Sequence, residues 1–267
     1  MNAMAIGINV RGFGGLIDPF GGKKDLEKRQ IRVLHGKSFL DDPTRILRAV
    51  RFEQRFGFKI EPHTLKLLKG ALLNSAVHQV KPQRYFSEVR KMLKEPLSAK
   101  CFLRLKKLNG LKLIDASLKL DSRGTNSFLA LFEKVSLKDL ERLLKKFPFL
   151  KEERESLRQN RERKKIIDKL SQRGLARGDV YRLLKSFHED VLLHWRTQAP
   201  VHARKKIDQF LRKDRYIKVY AKGEDLRRIG VPAGERMGEI LEAILYQRLD
   251  GKICTKREEL KFARSYR

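Results

Sequence analysis

The chain has 267 residues, with 62 Lys plus Arg against 32 Asp plus Glu and a formal charge of +30. Self-repulsion of that size destabilises a compact chain unless a polyanion neutralises it, so the composition points to nucleic acid as the partner. It excludes a membrane role, because no apolar run approaches the ~20 residues needed to span a bilayer, and no basic flank precedes residues 1–10 to make them a secretory signal.

In chain order, the first stretch differs from the rest. Apolar and β-branched runs predict strands over 2–10, at Leu16–Ile17 and over 31–34. Glycine turns fall at Gly12, Gly14 and Gly15 and again at Asp18-Pro19-Phe20-Gly21-Gly22, and a short helix covers 23–29. So few strands do not close a stable core alone, and the expectation is that an upstream segment completes the sheet. From Ser38 onward the apolar spacing is three and four, which predicts helices over 42–57, 61–73, 82–94, 97–108, 126–134, 137–147, 151–172, 178–197, 201–214, 224–229, 234–249 and 256–264. The fold class expected is therefore mainly α. The charge-dominated stretch 151–165 reads as solvated helix surface in preference to a dedicated RNA contact.

Cys101 and Cys254 lie far apart without metal-ligand spacing and read as reduced thiols of a cytoplasmic protein. His35, His63, His78, His188, His194 and His202 include no adjacent His-Asp pair, so no metal site is expected among them. Phosphate loops of the Gly-Lys type and nucleophile elbows are also missing from the sequence.

The most informative segment begins at Ser38. At about 100° per residue, Ile46, Leu47, Ala49, Val50, Phe52 and Phe56 share one apolar face, while Arg48, Arg51 and Arg55 lie opposite. Asp42 and Arg45, three apart, share a flank at its edge. A carboxylate that only accepts and a guanidinium that only donates can together read the edge of a nucleobase, and the further arginines can hold triphosphate or RNA phosphates. A structural account competes with this. Asp42 before Pro43 is also an ordinary helix start, Arg45 can pair with Asp41 or Asp42, and helix chemistry alone favours that account.

Resemblance shifts the balance. Asn2-Ala3-Met4-Ala5, Leu16-Ile17-Asp18-Pro19-Phe20-Gly21-Gly22 with Asp25-Leu26, Ile31-Arg32-Val33-Leu34, and Asp41-Asp42-Pro43-Thr44-Arg45 with Arg48, Arg51 and Phe52 follow one another as motifs do in the bacterial class II CCA-adding enzyme and poly(A) polymerase family. The closing segment, from Gly230-Val231-Pro232-Ala233-Gly234 to Arg257-Glu258-Glu259-Leu260, resembles the tail of that family. The middle, 111–222, is generic helical sequence.

The resemblance implies a helical neck, body and tail behind a small β remnant of a nucleotidyltransferase head, divided at 1–36 (head remnant), 37–108 (neck), 109–222 (body) and 223–267 (tail). It implies that Asp42 and Arg45 template the incoming CTP or ATP, with Arg48 and Arg51 as further nucleotide contacts. Asp41 stands where the family has Glu, one methylene shorter. Arg84-Tyr85-Phe86-Ser87-Glu88 resembles the R-x-x-x-E element, in which Arg84 and Glu88 can pair as structural support. Implied partners are nucleoside triphosphates and tRNA or other RNA 3′ ends.

The family holds Mg2+ on a D-x-D pair in its head, where the metals activate the 3′-hydroxyl and steady pyrophosphate. D-x-D does not occur in this sequence, nor does the R-R-D-x-T motif that precedes Asn-Ala-Met-Ala in the family. No catalytic residue is therefore assigned. Mg2+ is expected only with a head encoded upstream or separately, and the chain alone is not expected to polymerise nucleotides. A late-assigned start, a fragment and a split gene would each account for this. A stand-alone, non-catalytic RNA-binding helical protein is the alternative function.

Overall fold

Helix dominates, as the three- and four-residue apolar spacing predicts. The computed structural model describes residues 3–73, 80–120 and 127–266. Asn2 of the opening motif, His78 and the first residue of the helix expected over 126–134 lie outside the described residues. Two compact units make up the chain, Met1–Leu150 and Lys151–Arg267. Among the described residues no helix is long and apolar enough to cross a membrane.

The first unit opens with a hairpin, β1 (Ala5–Ile6) antiparallel to β2 (Leu16–Ile17), with Ala5 opposite Ile17 and Ile6 opposite Leu16. Ile6, Ile8, Val10, Phe13, Leu16 and Ile17 are all exposed. Asp18 then caps α1 (Gly22–Glu27), its carboxylate accepting from the Gly22 and Lys23 amides at 2.7 and 2.8 Å. Gly21 precedes that helix at φ 70°, a left-handed position that favours glycine. The run expected as a strand over 31–34 is a strand only at β3 (Gln30–Ile31), which pairs in parallel with β4 (Lys59–Ile60). Strand β4 lay hidden between two helical patterns.

A four-residue turn of helix, α2 (Ser38–Asp41), leads to α3 (Thr44–Phe56). Helix α3 stops at Gly57, whose φ of 63° allows the turn, and the Phe58 amide closes back on Glu53 at 3.1 Å. Ile46, Leu47 and Val50 are fully buried, each worth about 1.5–3 kcal/mol by removal from water. Two members of the proposed faces are exceptions: Phe56 is 41% exposed, and Arg51 is buried. Helix α3 packs on α5 (Pro82–Leu93) and α6 (Ser98–Lys107), with α4 (Pro62–Leu73) contributing the buried Leu68. Glu53 on α3 receives both Nε and an Nη of Arg104 on α6, at 2.7 and 3.0 Å. Farther along, Phe86 stacks on Phe147 at 5.1 Å and meets Phe149 edge-on at 4.7 Å, closing α5 against α7 (Phe128–Phe132) and α8 (Leu137–Lys146). Asp115 is bound by Arg142 through two bonds of 2.8 Å and by Lys146 at 3.2 Å. Burial opposes its charge, but those cations and Ser117 outweigh burial and hold its carboxyl well below the usual aspartate range.

In the second unit two expected helices are broken. The pattern over 151–172 becomes α9 (Lys151–Gln159) and α10 (Arg163–Leu170) around a 3-10 turn, Asn160–Glu162. Asn160 accepts from the indole of the fully buried Trp195 at 2.8 Å, which fixes the turn to the core. The pattern over 178–197 becomes α11 (Arg177–Leu184) and α12 (Glu189–Gln198). Gln159 makes that break tolerable: its amide donates to the Ser186 carbonyl at 3.0 Å and accepts from the His188 amide at 2.8 Å. Helix α13 (Val201–Arg212) follows. Helices α14 (Gly223–Arg228), α15 (Glu235–Leu249) and α16 (Lys256–Ser265) then share a small core of Leu226, Val231, Ile240, Ile244 and Ala263. The buried Glu259 ties this end together, accepting from the Tyr220 and Ala221 amides and from Arg248.

Candidate functional site

Helices α1, α2 and α3 and the chain after β3 enclose a cleft of about 370 Å³. Leu26, Val33, Leu34, Ala49 and Phe52 contribute apolar wall, and Arg32, Arg45 and Arg48 bring positive charge. That volume lies within the range of small-ligand pockets, and apolar walls with a few polar groups suit a flat heterocycle carrying charge.

The three arginines are held differently. Arg32 donates through Nε to Asp25 at 2.9 Å and through an Nη to the Phe20 carbonyl at 2.8 Å, which fastens the glycine turn to the cleft rim. Arg45 keeps 43% of its side chain exposed and donates to the Ser38 carbonyl at 3.3 Å. Arg48 makes no hydrogen bond or ion pair with any described residue. A half-buried guanidinium with five donors and no acceptor suits an anion or a base edge.

Asp42 lies beside this cleft and does not line it. Its Oδ1 accepts from the Thr44 amide at 3.1 Å and the Thr44 hydroxyl at 2.6 Å, so the helix-start role that competes with base reading is realised. Its Oδ2 accepts from Arg84 at 2.8 Å, and Arg45 Nε stands 3.9 Å away. Burial opposes ionisation, but the Thr44 bonds and the nearby Arg84 and Arg45 prevail and hold the carboxyl below the usual aspartate range. A carboxylate has roughly four lone-pair positions. Thr44 occupies two and Arg84 one, which leaves Oδ2 one acceptor position.

The remaining residues singled out by sequence separate from the cleft. Asp41 is exposed and meets only His35, at 3.7 Å, so it does not hold Arg45. Arg84 and Glu88 do not pair, contrary to the four-residue expectation. Arg84 reaches Asp42 instead, while Glu88 takes Lys91 at 2.7 Å and Arg51 at 3.7 Å. Arg51, one turn further along α3, is enclosed outside the cleft, bonded to Glu95 at 3.0 Å and lying over the Phe52 ring at 4.6 Å. The structure thus brings Arg45 and Arg48 together and parts them from Arg51. Sequence reasoning assigned no role to Arg32 or the Phe52 wall. The alternation Ile31-Arg32-Val33 next to a strand was the available signal.

The donor set does not suit a hard divalent cation, which wants several free oxygens. Asp25 is committed to Arg32, Asp42 is mostly committed, and the cleft is otherwise cationic. Among the described residues no group of three or more His, Cys, Asp and Glu side chains is placed to hold a metal.

No model of a known protein family matches the chain. It is 29% identical, over 98% of its length, to the A-adding tRNA nucleotidyltransferase of Geobacter sulfurreducens, and it spans 34% of the length of that relative. Its fold matches the Thermotoga maritima CCA-adding enzyme complexed with tRNA at a TM-score of 0.82 and 29% identity, over 99% of this chain and 71% of that one. A CCA-adding enzyme in complex with CTP matches at 0.81 and 30% identity, over 98% of this chain and 69% of that one.

Proposed function

Because the chain belongs to the family of CCA-adding enzymes and related tRNA nucleotidyltransferases, we propose that it is the nucleotide-recognising and tRNA-binding portion of a template-independent RNA nucleotidyltransferase. The observation that carries the reading is the pairing of Arg45 with the unpartnered Arg48 in one apolar-walled cleft, beside a carboxylate with one acceptor position left.

Cytosine and adenine share an amine that donates next to a ring nitrogen that accepts. Uracil and guanine present the reverse order. A guanidinium and a carboxylate side by side complement the first order and oppose the second, because Arg only donates and ionised Asp only accepts. In this mechanism Arg45 donates to the ring nitrogen, Asp42 Oδ2 accepts from the amine, and Phe52 and Ala49 exclude water from the base. Arg48 donates to the phosphates or sugar of CTP or ATP. Arg84, exposed over 56% of its side chain, holds Asp42 in register. Arg51 supports the helix through Glu88 and Glu95.

Nucleotide addition itself needs metal-binding carboxylates that this cleft does not provide, so we assign that step to a catalytic head. The exposed apolar side chains of the β1–β2 hairpin support docking of such a head. tRNA as the acceptor accounts for the charge of +30 and makes the cytoplasm the place of action.

Titration of the 267-residue chain with CTP, ATP, UTP and GTP tests the reading. CTP and ATP are expected to bind about tenfold more tightly than the other two, and equal affinity for all four would overturn it.

A further inference from the structure

Toward the C-terminal end of α3 lies a second cleft of about 640 Å³ lined by Arg51, Arg55, Lys91, Lys94 and Glu95. It shares no lining residue with the first. We propose that this cleft binds a phosphodiester of the RNA backbone, which gives the neck a phosphate site separate from the incoming nucleotide. The inference rests on the tRNA-binding reading above.

The chemistry is built rather than incidental. Arg51 is nine-tenths buried, its Nε has no hydrogen-bond partner, and it lines the cleft. Its bond to Glu95 fixes the guanidinium at the cleft wall. The carboxylates here are already engaged. Glu95 is bound by Arg51 at 3.0 Å with Arg55 at 3.6 Å, and Glu88 is bound by Lys91 at 2.7 Å. Against these two carboxylates stand four cations, a surplus of two positive charges. Lys94 makes no ion pair with any described residue, and Arg55 is 51% exposed and free to turn. The carbonyls at the end of α5 offset part of the charge of Lys91 and Lys94 but carry no full charge. Planar arginine forks match phosphate oxygens, and Pro96 with Leu97 supplies an apolar side against which a ribose can rest. The size suits a nucleotide unit or two, and the cationic groups on offer match phosphate and not base edges, so RNA is bound here without regard to sequence.

The test uses the whole chain, tRNA and a salt series from 50 to 200 mM, read by fluorescence anisotropy. The Lys94→Ala/Arg55→Ala variant removes two exposed cations and leaves the Arg51–Glu95 pair intact. It is expected to weaken tRNA binding roughly tenfold and to lower the slope of log affinity against log salt by about one, with CTP affinity unchanged. Wild-type tRNA affinity and slope in the variant overturn the phosphate site alone. Loss of CTP binding in parallel overturns its separateness from the base cleft. Absence of tRNA binding by the wild-type chain overturns both this proposal and the RNA-binding reading beneath it.

Discussion

Arg48 and Arg51 stand three residues apart on α3, yet their surroundings treat a guanidinium in opposite ways. On the cleft side Arg48 is half-buried, has no partner among the described residues and faces apolar wall. One turn further on, Arg51 is bonded to Glu95 and stands 3.7 Å from Glu88, which belong to the loop after α5 and to α5. One arginine keeps every donor for a ligand, and the other commits its Nη groups to joining two layers of the first unit while still lining the second cleft. An arginine therefore takes its role from what faces it rather than from its spacing in a motif. A cation that meets carboxylates at 3 Å is held by the scaffold, and one that meets none has its whole charge left for a ligand.

The largest expected effect breaks this comparison from the scaffold side. Glu95→Ala leaves the buried Arg51 with only the 3.7 Å contact to Glu88, and removing one partner of a buried pair costs about 3–5 kcal/mol. Urea denaturation is expected to show that loss in the transition of the first unit. Arg48→Ala, which breaks no pair, is expected to cost less than about 0.5 kcal/mol. Similar costs for the two variants would erase the distinction between the two surroundings.

Next in size is the effect on nucleotide. Hydrogen bonds to charged groups are worth about 1.5–3 kcal/mol, so Arg48→Ala is expected to weaken CTP and ATP binding by about ten- to a hundredfold in calorimetry. Arg55→Ala, two turns along the helix and outside the first cleft, is expected to leave nucleotide affinity within twofold. Arg48→Lys sharpens the point, since a lysine keeps the charge but loses the planar fork, and recovery of about half the lost binding energy is the expected outcome.

Much of this arrangement was legible in the sequence. Helical periodicity located α3, and its buried residues Ile46, Leu47, Ala49 and Val50 are the ones that the period selects. The pairing of Asp42 and Arg45 along one flank was visible for the same reason. The enclosure of Arg51 was not visible because the carboxylate that binds it lies 44 residues away, beyond the reach of any helical wheel. The partner of Asp42, Arg84, is 42 residues away, and local spacing offered Glu88 as its mate instead. The break between α11 and α12 was hidden for a related reason. It contains neither Gly nor Pro, and the side chain that satisfies its open backbone groups comes from Gln159 on α9.

The smallest expected effect concerns Asp42, the residue on which the scaffold and ligand roles meet. Asp42→Asn keeps an oxygen for the Thr44 amide, so the start of α3 survives. It also replaces an acceptor with an NH2 that faces Arg84. Selectivity for CTP and ATP over UTP and GTP is expected to fall about tenfold, the scale of one edge contact, with total affinity changed less. The pH dependence separates this from a general loss of structure. The folded pKa of Asp42 lies below its unfolded value, so its contribution to stability is complete above about pH 4 and disappears as pH falls through the folded value. The stability difference between wild type and Asp42→Asn is therefore expected to be constant from pH 5 to 8 and to shrink in more acid solution. A difference that stays the same down to pH 2 would mean that the carboxylate is not the charged acceptor this site requires.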